Sequence, residues 1–207
     1  QYFIDQGFSD HNVFSNYGVI LRSLGRLQDA ELYTRKAIKL NPDYAESYSN
    51  LGTILKDVGR LQEAELSQRK AIQLKPDFAE AYSNLGSILK GYGKLQEAEL
   101  SIRRAIEINP NLANAHSNLG NILRDIGSLK EAEKSYRKAI ELKPDFTEAY
   151  SNLGNLLKDL GRFKEAYEQF KKCLELDPND LAFNMQAKLF ISRIPLNQLQ
   201  IEKEREE

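Results

Sequence analysis

Apolar and polar positions alternate along this chain with the period of an α-helix. Between residues 48 and 58 the apolar side chains fall at steps of three and four, which is typical of an amphipathic helix. Gly59 follows and can adopt the left-handed conformation that ends a helix. A second helical run covers residues 61 to 74, and Pro76 then stops it because proline lacks a backbone N–H. The pattern predicts two helices joined by a tight turn, and no β-strand.

The same unit occurs five times at a spacing of 34 residues. Its most regular positions are a glycine within each first helix, at Gly18, Gly52, Gly86, Gly120 and Gly154. A fixed period of this length indicates stacked units, none of which can bury its apolar face alone. We therefore expect a flank at 1–10, five repeats, and a segment at 181–207 that begins with a capping helix and ends in a polar tail. The repeats are 11–44, 45–78, 79–112, 113–146 and 147–180.

Two sets of small or acidic residues predict local packing and capping. Because glycine has no Cβ, the glycines within the first helices should let the second helix of each unit approach closely. Small alanines should lie opposite, at Ala30, Ala64, Ala98, Ala132 and Ala166. An acid followed three residues later by Glu resembles a capping box. We expect Ser9 to cap the first helix, and we expect three such boxes, at Asp43 with Glu46, Asp77 with Glu80, and Asp145 with Glu148.

The residues of each unit resemble the tetratricopeptide repeat. In the second unit the matching positions are Tyr48, Leu51, Gly52, Leu55, Ala64, Ala71 and Pro76. The resemblance implies an all-α fold, a right-handed superhelical solenoid whose first helices line a concave groove. Thr34 and Gln68 replace the aromatic residue that Tyr136 and Phe170 supply, so the first two units should pack less tightly.

Polar residues recur on the first helices, away from the apolar stripe. Asparagine carries the most functional meaning, because one amide can pair with a peptide N–H and C=O together. Neighbouring first helices should lie about 10 Å apart, so one asparagine would meet about every third residue of an extended ligand. The candidate peptide-binding residues are Asn16, Asn50, Asn84, Asn118, Asn152, Ser49, Ser83, Ser117, Asn121, Asn155, Lys56, Lys90, Arg124 and Lys158.

This asparagine row resembles the ladder in the repeat arm of the O-linked N-acetylglucosamine transferases, and the resemblance implies contact with a substrate polypeptide. A second interpretation remains open, in which each asparagine bonds to the adjacent helix and only braces the array. A basic row on the first helices could favour acidic ligands or could be an ordinary solvated helix face; it consists of Arg22, Lys56, Lys90, Arg124 and Lys158. Three glutamates, Glu46, Glu80 and Glu148, are better explained by capping than by recognition.

Composition excludes several classes of function. Lys plus Arg (29) nearly cancels Asp plus Glu (30), which argues against nucleic-acid binding. A single cysteine, Cys173, excludes an internal disulfide and suits a reducing, cytoplasmic environment. We expect no membrane span, metal site, cofactor or catalytic group. The chain begins without Met and ends within a charged run, so we expect it to be part of a longer protein.

The resulting hypothesis is a protein-interaction scaffold that binds an extended peptide in its groove. One alternative is a substrate-recruiting arm of a larger enzyme such as a glycosyltransferase. Another is weak self-association through an apolar row on the second helices, formed by Leu32, Leu66 and Leu100.

Overall fold

Every helix expected within the five repeats is present. The computed structural model describes residues 10–178, so the expected cap Ser9, the expected capping helix and the polar tail lie outside the described residues. Within this part of the chain ten α-helices and no strands form, which confirms the all-α class. The helices are α1 (His11–Ser23), α2 (Leu27–Leu40), α3 (Ala45–Asp57), α4 (Leu61–Leu74), α5 (Ala79–Gly91), α6 (Leu95–Ile108), α7 (Ala113–Asp125), α8 (Leu129–Leu142), α9 (Thr147–Asp159) and α10 (Phe163–Leu176).

The turn within each repeat depends on a glycine whose backbone conformation would strain any other residue. Gly59 has φ of +86°, in the left-handed region. Its N–H donates to the carbonyl of Lys56 at 2.9 Å, and the N–H of Arg60 donates to that of Leu55 at 2.9 Å. This pair of bonds is the Schellman motif, which satisfies two carbonyls at the helix end. The predicted glycine stop is therefore confirmed.

The expected capping boxes do not form. The residue at the N-cap of α3 is Tyr44 and that of α5 is Phe78, and neither helix has a side-chain capping bond. The same holds for α9, which follows Phe146. The helices start one residue later than expected because the turn closes through backbone groups. At α5, the carbonyl of Asp77 accepts from the N–H of Ala79 at 3.1 Å.

Contacts divide the chain into two compact units, residues 1–110 and 111–207. In the first unit each first helix packs against its own second helix, and α3 also contacts α1, α2 and α5. Leu21, Ala30 and Ile54 form one buried cluster between the first two repeats. In the second unit α7 pairs with α8 and α9 pairs with α10, while α9 also contacts α7 and α8. Each core is therefore built from helix pairs and from the layer between successive pairs.

The glycines inside the first helices do allow a close approach, but the group opposite differs from the expected one. A Cβ on Gly52 would lie 2.6 Å from Nε2 of Gln68, and one on Gly120 would lie 2.5 Å from Cε1 of Tyr136. The side chain opposite each glycine therefore belongs to the Thr34–Gln68–Ile102–Tyr136–Phe170 row and not to the alanine row. The alanines of the second helices lie near these glycines mainly through their backbone. A Cβ added at Gly86, for example, would lie 3.0 Å from the carbonyl oxygen of Ala98.

Candidate asparagine row and groove face

The asparagine row of the first unit lies on three successive first helices that contact one another. Asn16 on α1 is exposed, whereas Asn50 on α3 and Asn84 on α5 are half-buried. Nδ2 of Asn50 donates to Oγ of Ser15 at 3.0 Å. Nδ2 of Asn84 donates to Oγ of Ser49 and to Oγ1 of Thr53, both at 3.4 Å. Each later asparagine of this unit therefore reaches back to the preceding first helix, and the bracing interpretation holds for the amide nitrogen.

The amide oxygen of these residues has a different environment. Within residues 10–178, neither Oδ1 of Asn50 nor Oδ1 of Asn84 accepts a hydrogen bond. Nδ2 of Asn84 donates two internal bonds, so a ligand that keeps them meets an acceptor there, whereas Nδ2 of Asn50 donates one internal bond and keeps a second N–H. The expected two-bond contact with a peptide group stays a prediction.

The serines expected to contact ligand are buried. Ser49, Ser83 and Ser117 are only 5%, 4% and 1% exposed. Ser49 accepts from Asn84, which gives it a role in bracing the repeats. Burial thus leaves little of each serine exposed to a ligand, and the expected serine contact with a ligand stays a prediction.

The second unit repeats the residues but not the bond. Nδ2 of Asn152 and Oγ of Ser117 occupy the positions that Asn50 and Ser15 occupy in the first unit. Both atoms are buried, and neither has a hydrogen-bond partner in the described part of the chain. Asn118, in contrast, takes part in interactions within the structure. The two units therefore present different asparagine environments from the same sequence motif.

Another candidate polar residue, Asn121, accepts a hydrogen bond from within its own repeat. Oδ1 of Asn121 accepts from the hydroxyl of Tyr136 at 2.8 Å. Tyr136 is fully buried, and burial raises the pKa of its hydroxyl to about 12. Asn121 therefore accepts from a buried phenol, and its expected contact with a ligand stays a prediction. The signal was present in the sequence, because a buried tyrosine hydroxyl usually needs a partner. Asn155 similarly accepts from Nζ of Lys158 at 3.4 Å.

The basic row has partners that its spacing did not reveal. Nε of Arg22 on α1 donates to Oδ2 of Asp57 on α3 at 2.6 Å. Nζ of Lys56 donates to Oγ of Ser87 on α5 at 3.3 Å. In the second unit Arg124 and Lys158 each lie 4.0 Å from the aspartate that follows them in sequence. An acidic row therefore accompanies the basic row, and sequence analysis missed it as a functional feature.

The second helices carry ion pairs that join successive repeats. In the second unit Arg162 contacts Glu133 of the preceding repeat at 2.6 Å and Glu165 of its own repeat at 2.6 Å. Hydrogen bonds from Arg162 lower the pKa of the Glu165 carboxyl. In the first unit Arg60 likewise contacts both Glu31 and Glu63. These pairs explain the regular charges of the second helices as surface pairing.

Other candidate chemistry is sparse in residues 10–178. No group of three metal-ligating side chains occurs there, and none of the described helices is long and apolar enough to cross a membrane. Cys173 is buried, and burial raises the pKa of its thiol to about 11. A cleft of about 350 Å³ lies at the start of α4, lined by residues 59–63 and by Tyr92. It lies at the turns and not on the face that carries the asparagines.

Comparison with known families gives the same architecture. Models described as "Tetratricopeptide repeat" match residues 11–44, 33–65, 79–112, 102–134 and 147–180. A model described as "TPR repeat" matches residues 120–161. The chain belongs to the tetratricopeptide repeat (TPR) family. Among curated protein sequences none matches significantly.

Solved structures agree with this assignment. TTC0263, a thermophilic TPR protein of Thermus thermophilus, is 26% identical with a TM-score of 0.81, covering 87% of this chain and 98% of its own. MamA is 33% identical with a TM-score of 0.61, covering 77% of this chain and 93% of its own. YrrB, described as a TPR protein with an unusual peptide-binding site, is 24% identical with a TM-score of 0.57, covering 89% and 95%. The expected helix–turn–helix repeat fold is confirmed.

Proposed function

We propose that this chain is a protein-interaction scaffold that binds an extended polypeptide segment along its first helices. The TPR family supports the general role of a protein-binding scaffold. The observation that carries the finer proposal is the state of Asn50 and Asn84. Each amide is anchored through Nδ2, and its Oδ1 has no hydrogen-bond donor among the described residues.

An anchored amide is a suitable acceptor for a ligand. Its orientation is already held by the bond to the preceding first helix, so little side-chain entropy is lost when a ligand N–H donates to it. A backbone N–H occurs at every non-proline residue of a peptide. Recognition through Oδ1 therefore follows the course of the ligand and tolerates many ligand side chains.

The expected affinity is modest. A flexible segment loses conformational entropy when it binds, so a short peptide should bind in the micromolar range or more weakly. Peptides can be obtained by selecting a displayed library of random 12-residue sequences on the full chain. Fluorescence polarisation of a labelled selected peptide then gives the Kd.

The test compares two double variants of the first unit. Asn50→Ala with Asn84→Ala removes the acceptors and should weaken binding at least tenfold. Ser15→Ala with Ser49→Ala removes the serine partners but leaves both acceptors, and Asn84 keeps its bond to Thr53, so binding should weaken by less than in the asparagine variant. Circular dichroism checks that both variants keep their helices. Equal Kd values for wild type and the asparagine variant, or a library that yields no peptide, would refute the proposal.

A second function is favoured by the exposed surface of the second helices. Leu32, Leu66 and Leu100 are 51%, 67% and 69% exposed. Their row continues as Lys134 and Glu168 in the second unit. We infer that any self-association uses the first unit, and sedimentation of wild type and Leu66→Lys at several concentrations tests it. The role as an arm of a larger enzyme stays a prediction, as does the cytoplasmic location.

A further inference from the structure

In the first two repeats a basic side chain of one first helix pairs with an acidic side chain of the next. Arg22 stands near the end of α1, and the carboxylate of Asp57 near the end of α3 lies 2.6 Å from its Nε. Asp57 follows Arg22 by 35 residues, which is one repeat plus one residue. The pair therefore connects two first helices that contact each other at the same level.

The next pair of first helices lacks this arrangement. Lys56 on α3 occupies the place of Arg22, but the residue 35 positions later is Gly91. Nζ of Lys56 donates to Oγ of Ser87 on α5, at 3.3 Å. Among residues 10–178 no carboxylate forms an ion pair with Lys56. A cation thus lies beside a neutral, exposed position where the preceding repeat supplies an acid.

We propose that Lys56 and Ser87 form an anion subsite that takes a Glu or Asp side chain of the bound segment. The inference rests on the proposed function, because the ligand has to lie along the asparagine row. The ligand carboxylate occupies the place that Asp57 occupies beside Arg22. The asparagines then recognise the backbone of the bound segment, and Lys56 with Ser87 adds a preference for an acidic side chain at one of its positions.

The geometry brings ligand and subsite together. Asn84, Ser87 and Gly91 are separated by three and four residues, so they share one face of α5. The distance along the helix from Asn84 to Gly91 is about 10 Å, at a rise of about 1.5 Å per residue. An acidic side chain that leaves the ligand near Asn84 therefore spans part of this distance, and the long lysine side chain spans the rest.

A substitution at position 91 can place a carboxylate of this chain itself in the subsite. A Cβ on Gly91 would meet only Cδ1 of Leu61, at an ordinary distance of 3.5 Å, and Gly91 does not have positive φ. Gly91→Asp therefore fits the fold and places a carboxylate where Lys56 can pair with it. Gly91→Asn has nearly the same shape without the charge, and it serves as the matched control.

The experiment selects a random displayed 12-residue library on the full chain in three forms: wild type, Gly91→Asp and Gly91→Asn. Glu and Asp should be enriched on wild type and on Gly91→Asn, and the enrichment should be lost on Gly91→Asp. A selected peptide is then compared with its Glu→Gln version by fluorescence polarisation. Removing the peptide carboxylate should weaken binding to wild type about fivefold, the upper range for an accessible ion pair. It should leave binding to Gly91→Asp and to Lys56→Gln unchanged.

The outcomes separate the two proposals. Selected peptides that depend on Asn50 and Asn84 but show no acidic enrichment overturn the anion subsite and leave the peptide groove intact. Acidic enrichment that persists equally on Gly91→Asp also overturns the subsite, because it assigns the preference to other cations. If wild type selects no peptide, both proposals fail.

Discussion

Replacing Gln68 by isoleucine tests whether the polar core of the second repeat lowers its stability. Gln68 is fully buried against Gly52, where the third repeat has the equally buried Ile102 against Gly86. Nε2 of Gln68 donates to the carbonyl of Ser49 at 2.9 Å. Its Oε1 is buried and has no hydrogen-bond partner among the described residues. The variant Gln68→Ile copies an arrangement that the protein already accommodates one repeat later.

The expected rise in the free energy of unfolding follows from the hydrogen bonds that Gln68→Ile removes and the apolar groups that it buries. An unpaired buried oxygen costs about 1–3 kcal/mol, and the hydrogen bond that is lost contributes about 0.5–1.5 kcal/mol. The Ser49 carbonyl is not left unpaired, because Oγ1 of Thr53 also donates to it at 2.9 Å. Isoleucine buries about two more apolar carbons than glutamine, at about 0.8 kcal/mol each, and its helix propensity costs a few tenths of a kcal/mol. We therefore expect Gln68→Ile to raise the free energy of unfolding by about 2 kcal/mol.

Urea unfolding followed by circular dichroism measures this change, with the midpoint shifted upward. Thr34→Val is the companion variant, because Oγ1 of Thr34 is also buried without a partner among the described residues and the two side chains have the same shape. It should stabilise by about 1 kcal/mol. A lower free energy of unfolding for both variants would refute the reasoning, since it would mean that these polar atoms are satisfied in solution.

Two further predictions concern close packing and charge. Gly120→Ala should destabilise by about 1–3 kcal/mol in urea, because the new Cβ would lie 2.5 Å from Tyr136. Gly91→Ala, which meets ordinary contacts, should instead stabilise by up to about 1 kcal/mol, and equal effects at both positions would contradict the packing account. Arg162→Gln should lower stability at neutral pH, because Arg162 lowers the pKa of Glu165 in the folded state. That contribution is present above the unfolded glutamate pKa of about 4.3 and is lost as the pH falls through the folded value. If the free energies of unfolding of wild type and variant differ by the same amount at pH 7 and pH 3, the Glu165 account is wrong.

Local structure was predictable because it depends on short-range chemistry. Gly59 and the equivalent glycine of each other repeat mark the end of the first helix, since only glycine adopts positive φ without strain. The 34-residue period of these glycines is equally direct evidence for repeated helix pairs. The capping boxes failed for a local reason as well: an aromatic residue such as Phe78 intervenes, and backbone carbonyls close the turn instead.

The candidate site was predictable only in part. Asparagine on the first helices was visible as a row, but its two amide atoms have different partners, and no residue pattern distinguishes them. The burial of Ser49 depends on how closely α3 and α5 approach. The bond from Tyr136 to Asn121 connects the two helices of one repeat. Such contacts join residues 15 to 35 positions apart, where sequence spacing gives no direction or distance.

The sequence by itself determined the helices, their glycine-marked turns and the TPR family, because these depend on periodicity and backbone conformation. Only the tertiary structure decided which polar atoms are available to a ligand. Packing of successive first helices engages Nδ2 of Asn50 and Asn84, buries Ser49, and pairs Arg22 with Asp57 while Lys56 bonds to Ser87. Those partnerships depend on the distance between neighbouring helices, and similar repeats therefore present different chemistry along the same row.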